Sequence, residues 1–151
     1  MKYEKMDITT VCRGVIAHGV NAQRAMGSGV ALAIKNKWPV VYTKYMEQPK
    51  GSQMLGVAHG INVNGDDSVW VVNCYTQEYF GADGKVYADP NAIETSLRGA
   101  YQLAKSYDMP IYLPQIGAGL GGLDWDQDVK PIINDLDQEF ETVDTTICIW
   151  G

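Results

Sequence analysis

The sequence predicts an α/β fold, a mixed sheet with helices on both faces. Three observations point there. Short apolar, β-branched runs alternate with stretches of helical period. Two of the strand-like runs are joined by the turn Asn64-Gly65-Asp66-Asp67, which makes them a hairpin among strands that helices separate. Two glycine-rich segments each stand between a strand and a helix, where open α/β sheets bind ligands.

In chain order, Lys2 to Ile8 and Val11 to Ala17 read as strands. Gly29 to Lys37 reads as a helix, with Val30, Ala33, Ile34 and Lys37 at helical spacing and Trp38-Pro39 as its stop. Val40 to Glu47 is a second short helix. Leu55 to Val63 and Ser68 to Tyr75 form the hairpin. Asp89-Pro90 opens a helix, since Asp caps and Pro suits the first helical position. Ile93, Leu97, Ala100, Tyr101 and Ala104 then make one apolar face. Pro110 to Leu113 is a strand. Asp126 to Phe140 is a helix in which Pro131 forces a late start or a kink. Thr145 to Trp150 is the last strand.

The 151 residues suffice for one domain with one sizeable core, and residues 1–151 are read as a single domain without repeat or linker. A net charge of −6 argues against a nucleic-acid partner, which usually needs a basic face. It leaves room for a small anion held by backbone N–H groups. No apolar run approaches the ~18 residues of a membrane span, and no signal peptide precedes the first strand, so a cytoplasmic monomer without membrane contact is expected. Cys12, Cys74 and Cys148 read as buried, strand-embedded free thiols.

The two glycine segments are "HGVNAQRAMGSGVALAI", His18 to Ile34, and "LPQIGAGLGGLDW", Leu113 to Trp125. Placed side by side, two such loops and the helix N-terminus would surround a diphosphate. Gly117, Gly119 and Gly122 also fit G-x-G-x-x-G. That fingerprint should open a βαβ unit with an acidic residue ~20 positions on, after the next strand begins. Here Asp137 and Glu139 fall inside the predicted helix instead, which disfavours a nicotinamide-dependent oxidoreductase. No Lys-Ser/Thr follows either loop, so neither is a Walker A motif. Tight turns alone remain the other reading.

These segments resemble the macro domain, a family that binds ADP-ribose, over nearly the whole chain. Met6-Asp7-Ile8-Thr9 resembles its Gly-Asp-Ile-Thr start, with Met6 in place of Gly. "VNAQRAMGSGVALAI" resembles its first ligand loop, and "PQIGAGLGGLDW" its second. "NCYTQEYFG" and the short, insertion-free build are similar to phage and bacterial members and to the yeast-type ADP-ribose 1''-phosphate phosphatases. The resemblance implies a three-layer α/β/α domain with a mixed, mostly parallel sheet and no cofactor. It implies that Asp7 accepts from the adenine amino group, with the Ile8 N–H nearby, and that Asn21 holds the distal ribose hydroxyls. Gly27, Ser28, Gly29 and Val30 would wrap the diphosphate from one side, and Ile116, Gly117, Ala118, Gly119 and Leu120 from the other. Cys148 or Trp150 stands where the family places an aromatic against adenine. One branch that removes ADP-ribose from protein carboxylates uses a Lys after the middle strand and an Asp in the second loop; Gln77 and Gly121 stand there. A second hydrolase branch has a longer Asn-Ala-Ala-Asn and Gly-Gly-Gly pattern, where this chain has Gln23 and Arg24.

His18 could serve as a general base toward water or bond a terminal phosphate, or be a strand-end histidine satisfied by backbone. Arg24 could clamp a phosphate with its planar fork, or be a solvated charge at the loop tip. Tyr79 or Phe80 could close over the distal ribose, with Phe80 favoured. His59 reads as structural. Asp124, Asp126 and Asp128 imitate a calcium loop, but Val129 and Asp135 fill the Gly and Glu positions, so helix capping is the better account and no metal is expected. Cys12-Arg13 lacks the glycine cradle of a cysteine phosphatase, and no His/Cys cluster suits zinc. The chemistry expected is hydrolysis of ADP-ribose 1''-phosphate by a bound water, activated by His18 or by the substrate's own phosphate, with His18 and Asn21 as catalytic residues. A non-catalytic ADP-ribose reader and a de-ADP-ribosylating hydrolase are the alternatives.

Overall fold

A computed structural model describes residues Met1 to Ile149. Trp150, the candidate for adenine stacking, lies outside the described residues. Six strands form one sheet in the order β1-β6-β5-β2-β4-β3. They are β1 (Lys2–Lys5), β2 (Gly14–Asn21), β3 (Ala58–Asn62), β4 (Val69–Gln77), β5 (Ile111–Leu113) and β6 (Thr145–Ile149). All neighbours are parallel except the β3–β4 hairpin, so the sheet is mixed and mostly parallel as expected.

Four helices cover both faces: α1 (Gly29–Lys37), α2 (Pro39–Met46), α3 (Pro90–Ser106) and α4 (Lys130–Glu139). Leu97, Ala100 and Tyr101 of α3 and Ile133 and Leu136 of α4 bury against Val15, Ala17, Val72, Cys74 and Ile147. On the opposite face, Ile34 of α1 and Val41 and Tyr45 of α2 bury against Ile16, Val20, Val71 and Tyr75. The alternation along β2 shows the logic. Val15 and Ala17 face one helical layer and Ile16 and Val20 the other, and both pairs are apolar because neither face meets water there.

Several boundaries differ from those the sequence suggests. β1 stops at Lys5 rather than Ile8, because the Asp7 carboxylate accepts the Thr9 N–H at 2.8 Å and caps a short 3-10 turn at Ile8–Thr10. β2 begins at Gly14 and runs on to Asn21, so Cys12 precedes the strand and is exposed, whereas Cys74 and Cys148 are buried. Ahead of α4, residues Trp125–Val129 form a single wide turn in which the Lys130 N–H reaches the Trp125 carbonyl. Pro131 has no N–H to donate and its ring crowds the carbonyl four residues back, so a regular helix cannot run through this point. Asp124 caps that turn through the Gln127 N–H at 2.9 Å, which is the capping role expected of it.

Candidate functional site

The first glycine loop follows β2 and the second follows β5. These strands are neighbours, with Val15 paired to Ile111 and Ile16 to Tyr112, so the loops emerge side by side at the carboxyl ends of the sheet. Between the second loop and the start of α1 lies a cavity of about 300 Å³, and no residue of 21–29 is among its lining. It is lined by Ile8 from the turn after β1, Val30 from α1, Pro114, Gln115, Ala118 and Gly119 from the second loop, and Cys148 and Ile149 from β6. Five candidate residues, Ile8, Val30, Ala118, Gly119 and Cys148, therefore line one space. Pro114, Gln115 and Ile149 also line it and were not among the candidates. Their position directly at the ends of β5 and β6 is the signal that could have found them.

The N-terminus of α1 is open. Ser28 precedes the helix but its side chain makes no capping bond, and the first turn holds no acidic residue. In contrast, Asp89 caps α3 through the Asn91 N–H. The first N–H groups of α1 have no intrahelical partner, so they are donors suited to an anion. Gly27, Ser28 and Gly29 are exposed. A Cβ at Gly27, Gly29 or Gly119 would meet nothing within 4 Å, while Gly29 also sits at φ 59°, which a side chain rarely adopts.

The remaining second-loop glycines are packed. Gly121 is buried, its carbonyl accepts from the N–H groups of Tyr87 (2.9 Å) and Ala88 (3.0 Å), and a Cβ there would lie 2.7 Å from the Gly117 carbonyl oxygen. Ile116 is buried beneath the loop in the α3/α4 core. Leu120 is 55% exposed at the loop tip. Phe80 and Tyr79 stand in solvent on the segment after β4, outside the cavity lining, and Gln77 Nε2 donates to the Tyr79 carbonyl at 2.7 Å. Cys148 is a neutral thiol, pushed up to about 11 by burial.

Two candidates are placed differently from the roles expected of them. His18 is only 1% exposed, because β2 continues three residues past it and carries it into the sheet. Its Nε2–H donates to Asn73 Oδ1 at 2.7 Å. Burial lowers its pKa to about 4, with the Asn73 bond opposing, so it is neutral at physiological pH and does not face the cavity as a water-activating base. Arg24, at φ 63°, turns Nε and Nη2 to the Gln48 carbonyl at 2.9 and 2.7 Å, which commits that edge of its guanidinium within the protein. Asn21 is also largely engaged. Its Oδ1 accepts the N–H groups of Gln23 and Ala25, and its Nδ2 donates to the Ala25 carbonyl. Asp7 caps its turn through one carboxylate oxygen.

The His18 geometry fixes a pH dependence. A folded pKa near 4 against the ordinary 6.5 means that the unfolded chain binds the proton more readily. Stability is therefore full above pH 6.5 and falls as pH drops toward 4, by about 3 kcal/mol from this group. Urea unfolding between pH 7.5 and 4 should show that slope, and His18→Gln should remove most of it. An unchanged slope in the variant would assign the acid sensitivity elsewhere, for example to half-buried His59, which burial shifts in the same direction.

A family model described as Macro domain matches residues 17–132, which span both loops and the helices between them. The chain belongs to the macro domain family. It is 27% identical over 148 residues to a DNA ADP-ribosyl glycohydrolase of Mycobacterium tuberculosis (strain ATCC 25618 / H37Rv), covering 96% of this chain and 41% of that protein. The chain thus spans about two fifths of the length of the curated relatives it matches. Among solved structures, a macrodomain protein from Streptomyces coelicolor superposes with a TM-score of 0.78 at 27% identity, covering 99% of each chain. The macrodomain of Mycobacterium tuberculosis DarG gives 0.81 at 21% identity, over 99% of this chain and 97% of that one. Thermosipho africanus DarTG in complex with ADP-ribose gives 0.73 at 21%, over 97% of this chain and 40% of that one. These likenesses show the macro fold. Among the described residues no helix of this macro domain is long and apolar enough to cross a membrane.

Proposed function

We propose that this macro domain binds ADP-ribose in the cleft between its two glycine loops and hydrolyses ADP-ribose 1''-phosphate with a bound water. The observation that carries the reading is the shared cavity, lined at once by Ile8, Val30, Ala118 and Gly119 and bordered by the uncapped N-terminus of α1. Backbone N–H groups there suit a diphosphate without a cationic side chain. The solved complex of Thermosipho africanus DarTG with ADP-ribose, of the same fold, supports that ligand.

The choice of a phosphomonoester follows from what the cleft lacks. His18 is neutral and enclosed, and the cavity lining among the described residues contains no carboxylate or amine. A phosphate monoester brings its own proton acceptor. Water attacks phosphorus, the P–O1'' bond breaks, and the water proton passes through a phosphate oxygen to the departing 1''-oxygen. The products are ADP-ribose and inorganic phosphate. Loop N–H groups would oppose the charge that develops on the phosphoryl oxygens.

A second reading, removal of ADP-ribose from a modified macromolecule, is favoured by the 27% identity to DNA ADP-ribosyl glycohydrolases. Against it stand Gln77 and the packed Gly121. Calorimetry with ADP-ribose tests the cleft. Phosphate release from ADP-ribose 1''-phosphate and ADP-ribose release from ADP-ribosylated DNA then separate the two chemistries. Phosphate release is the expected outcome; binding without either product would leave a non-catalytic ADP-ribose reader.

A further inference from the structure

Helix α2 does not touch the cavity, yet it and the turn after it hold the first loop from behind. The Tyr45 hydroxyl donates to the Asn21 carbonyl at 2.5 Å and lies 2.9 Å from Asn21 Oδ1. The Gln48 carbonyl takes both Nε and Nη2 of Arg24. The Gly51 N–H reaches the Ala22 carbonyl at 3.1 Å. Tyr45 is 1% exposed, and burial raises its pKa far above the usual tyrosine value, so its hydroxyl stays protonated. Arg24 holds a left-handed backbone that non-glycine residues adopt at a cost, and the Gln48 contact is what opposes that cost. The bend at residues 21–25 is therefore fixed at several points, whereas Gly27, Ser28 and Gly29 beyond it are exposed.

A flexible glycine tip aims its N–H groups only as well as its root is held. We infer that Tyr45 is a positioning residue for the ligand, acting through Asn21, and that Arg24 is a latch on the turn after α2 rather than a phosphate clamp. The inference rests on the proposed binding of ADP-ribose at this cleft. Removing the Tyr45 hydroxyl leaves the ring in the core but frees the Asn21 carbonyl, so the loop must sample other bends and binding must reorder it.

The experiment compares wild type, Tyr45→Phe and Arg24→Met by ADP-ribose calorimetry at low and high salt and by amide hydrogen exchange without ligand. Each variant should bind about tenfold more weakly, a loss comparable to one hydrogen bond to a positioned loop, with the salt dependence of wild type. Exchange at Gln23 and Ala25 should rise, while that at Gly117 to Leu120 should not. Failure of wild type to bind ADP-ribose would overturn the reading of the cleft, and the exchange data would still judge the loop's anchor. Wild-type affinity in Tyr45→Phe, or unchanged exchange at residues 23 and 25, would overturn the positioning role. A weaker salt dependence in Arg24→Met would restore the phosphate clamp.

Discussion

Gly119→Glu is expected to abolish ADP-ribose binding while leaving the fold intact. Gly119 is exposed, it lines the cavity, and a Cβ there would meet nothing within 4 Å. The substitution therefore adds no internal clash. It places bulk and a carboxylate where the diphosphate is proposed to lie, and like charges brought together at an interface cost several kcal/mol. A loss of about hundredfold or more in affinity should follow, with a thermal midpoint close to wild type. Gly119→Ala is the control and should retain most of the binding. Calorimetry beside thermal unfolding reads both quantities, and tight binding by Gly119→Glu would remove the diphosphate from this side of the cleft.

Gly121→Asp should do the reverse, damaging the fold first. The new Cβ would sit 2.7 Å from the Gly117 carbonyl oxygen and 3.0 Å from Ala88 Cβ, and the site is buried. Overpacking and a poorly solvated carboxylate together should cost about 3 kcal/mol. For a chain of this length that is roughly 8 °C in the midpoint of thermal unfolding. The double variant Gln77→Lys, Gly121→Asp should therefore fail to gain the Lys/Asp chemistry of the de-ADP-ribosylating branch. An unfolding temperature equal to wild type would show that the second loop opens easily around a side chain. The departure from that branch would then lie in two letters rather than in the shape of the loop.

The parts of the site legible in the sequence were those encoded locally. The helix predicted at Gly29 to Lys37 has those bounds, and the two strand–glycine loop–helix units lie next to each other as their pattern implied. What stayed hidden depended on partners distant in sequence. Arg24 looked free because the Gln48 carbonyl that holds it is 24 residues away. His18 looked like the last residue of its strand. The run Gly19-Val20-Asn21 gives weak strand signals, yet pairing with β4 carries β2 through it, with a register shift at Val20/Asn21. Asn21 reads from the sequence as part of the first loop, whereas it ends β2 and its amide already bonds Gln23 and Ala25. Pro131 gave a correct warning, although proline alone does not say whether a helix kinks, starts late or widens.

The two walls of the cleft are rooted in opposite halves of the protein. Ala22, Met26 and Ile34 anchor the first loop and its helix in the core beneath α1 and α2, whereas Ile116 anchors the second loop in the core beneath α3 and α4. The width of the gap is thus set by how two separate apolar layers seat on one sheet. A volume change at Ile34 or Val41 would move one wall, and a change at Ile93 or Leu97 the other, with no cleft-lining residue altered. Ligand preference in such a molecule can be retuned from the interior, one layer at a time.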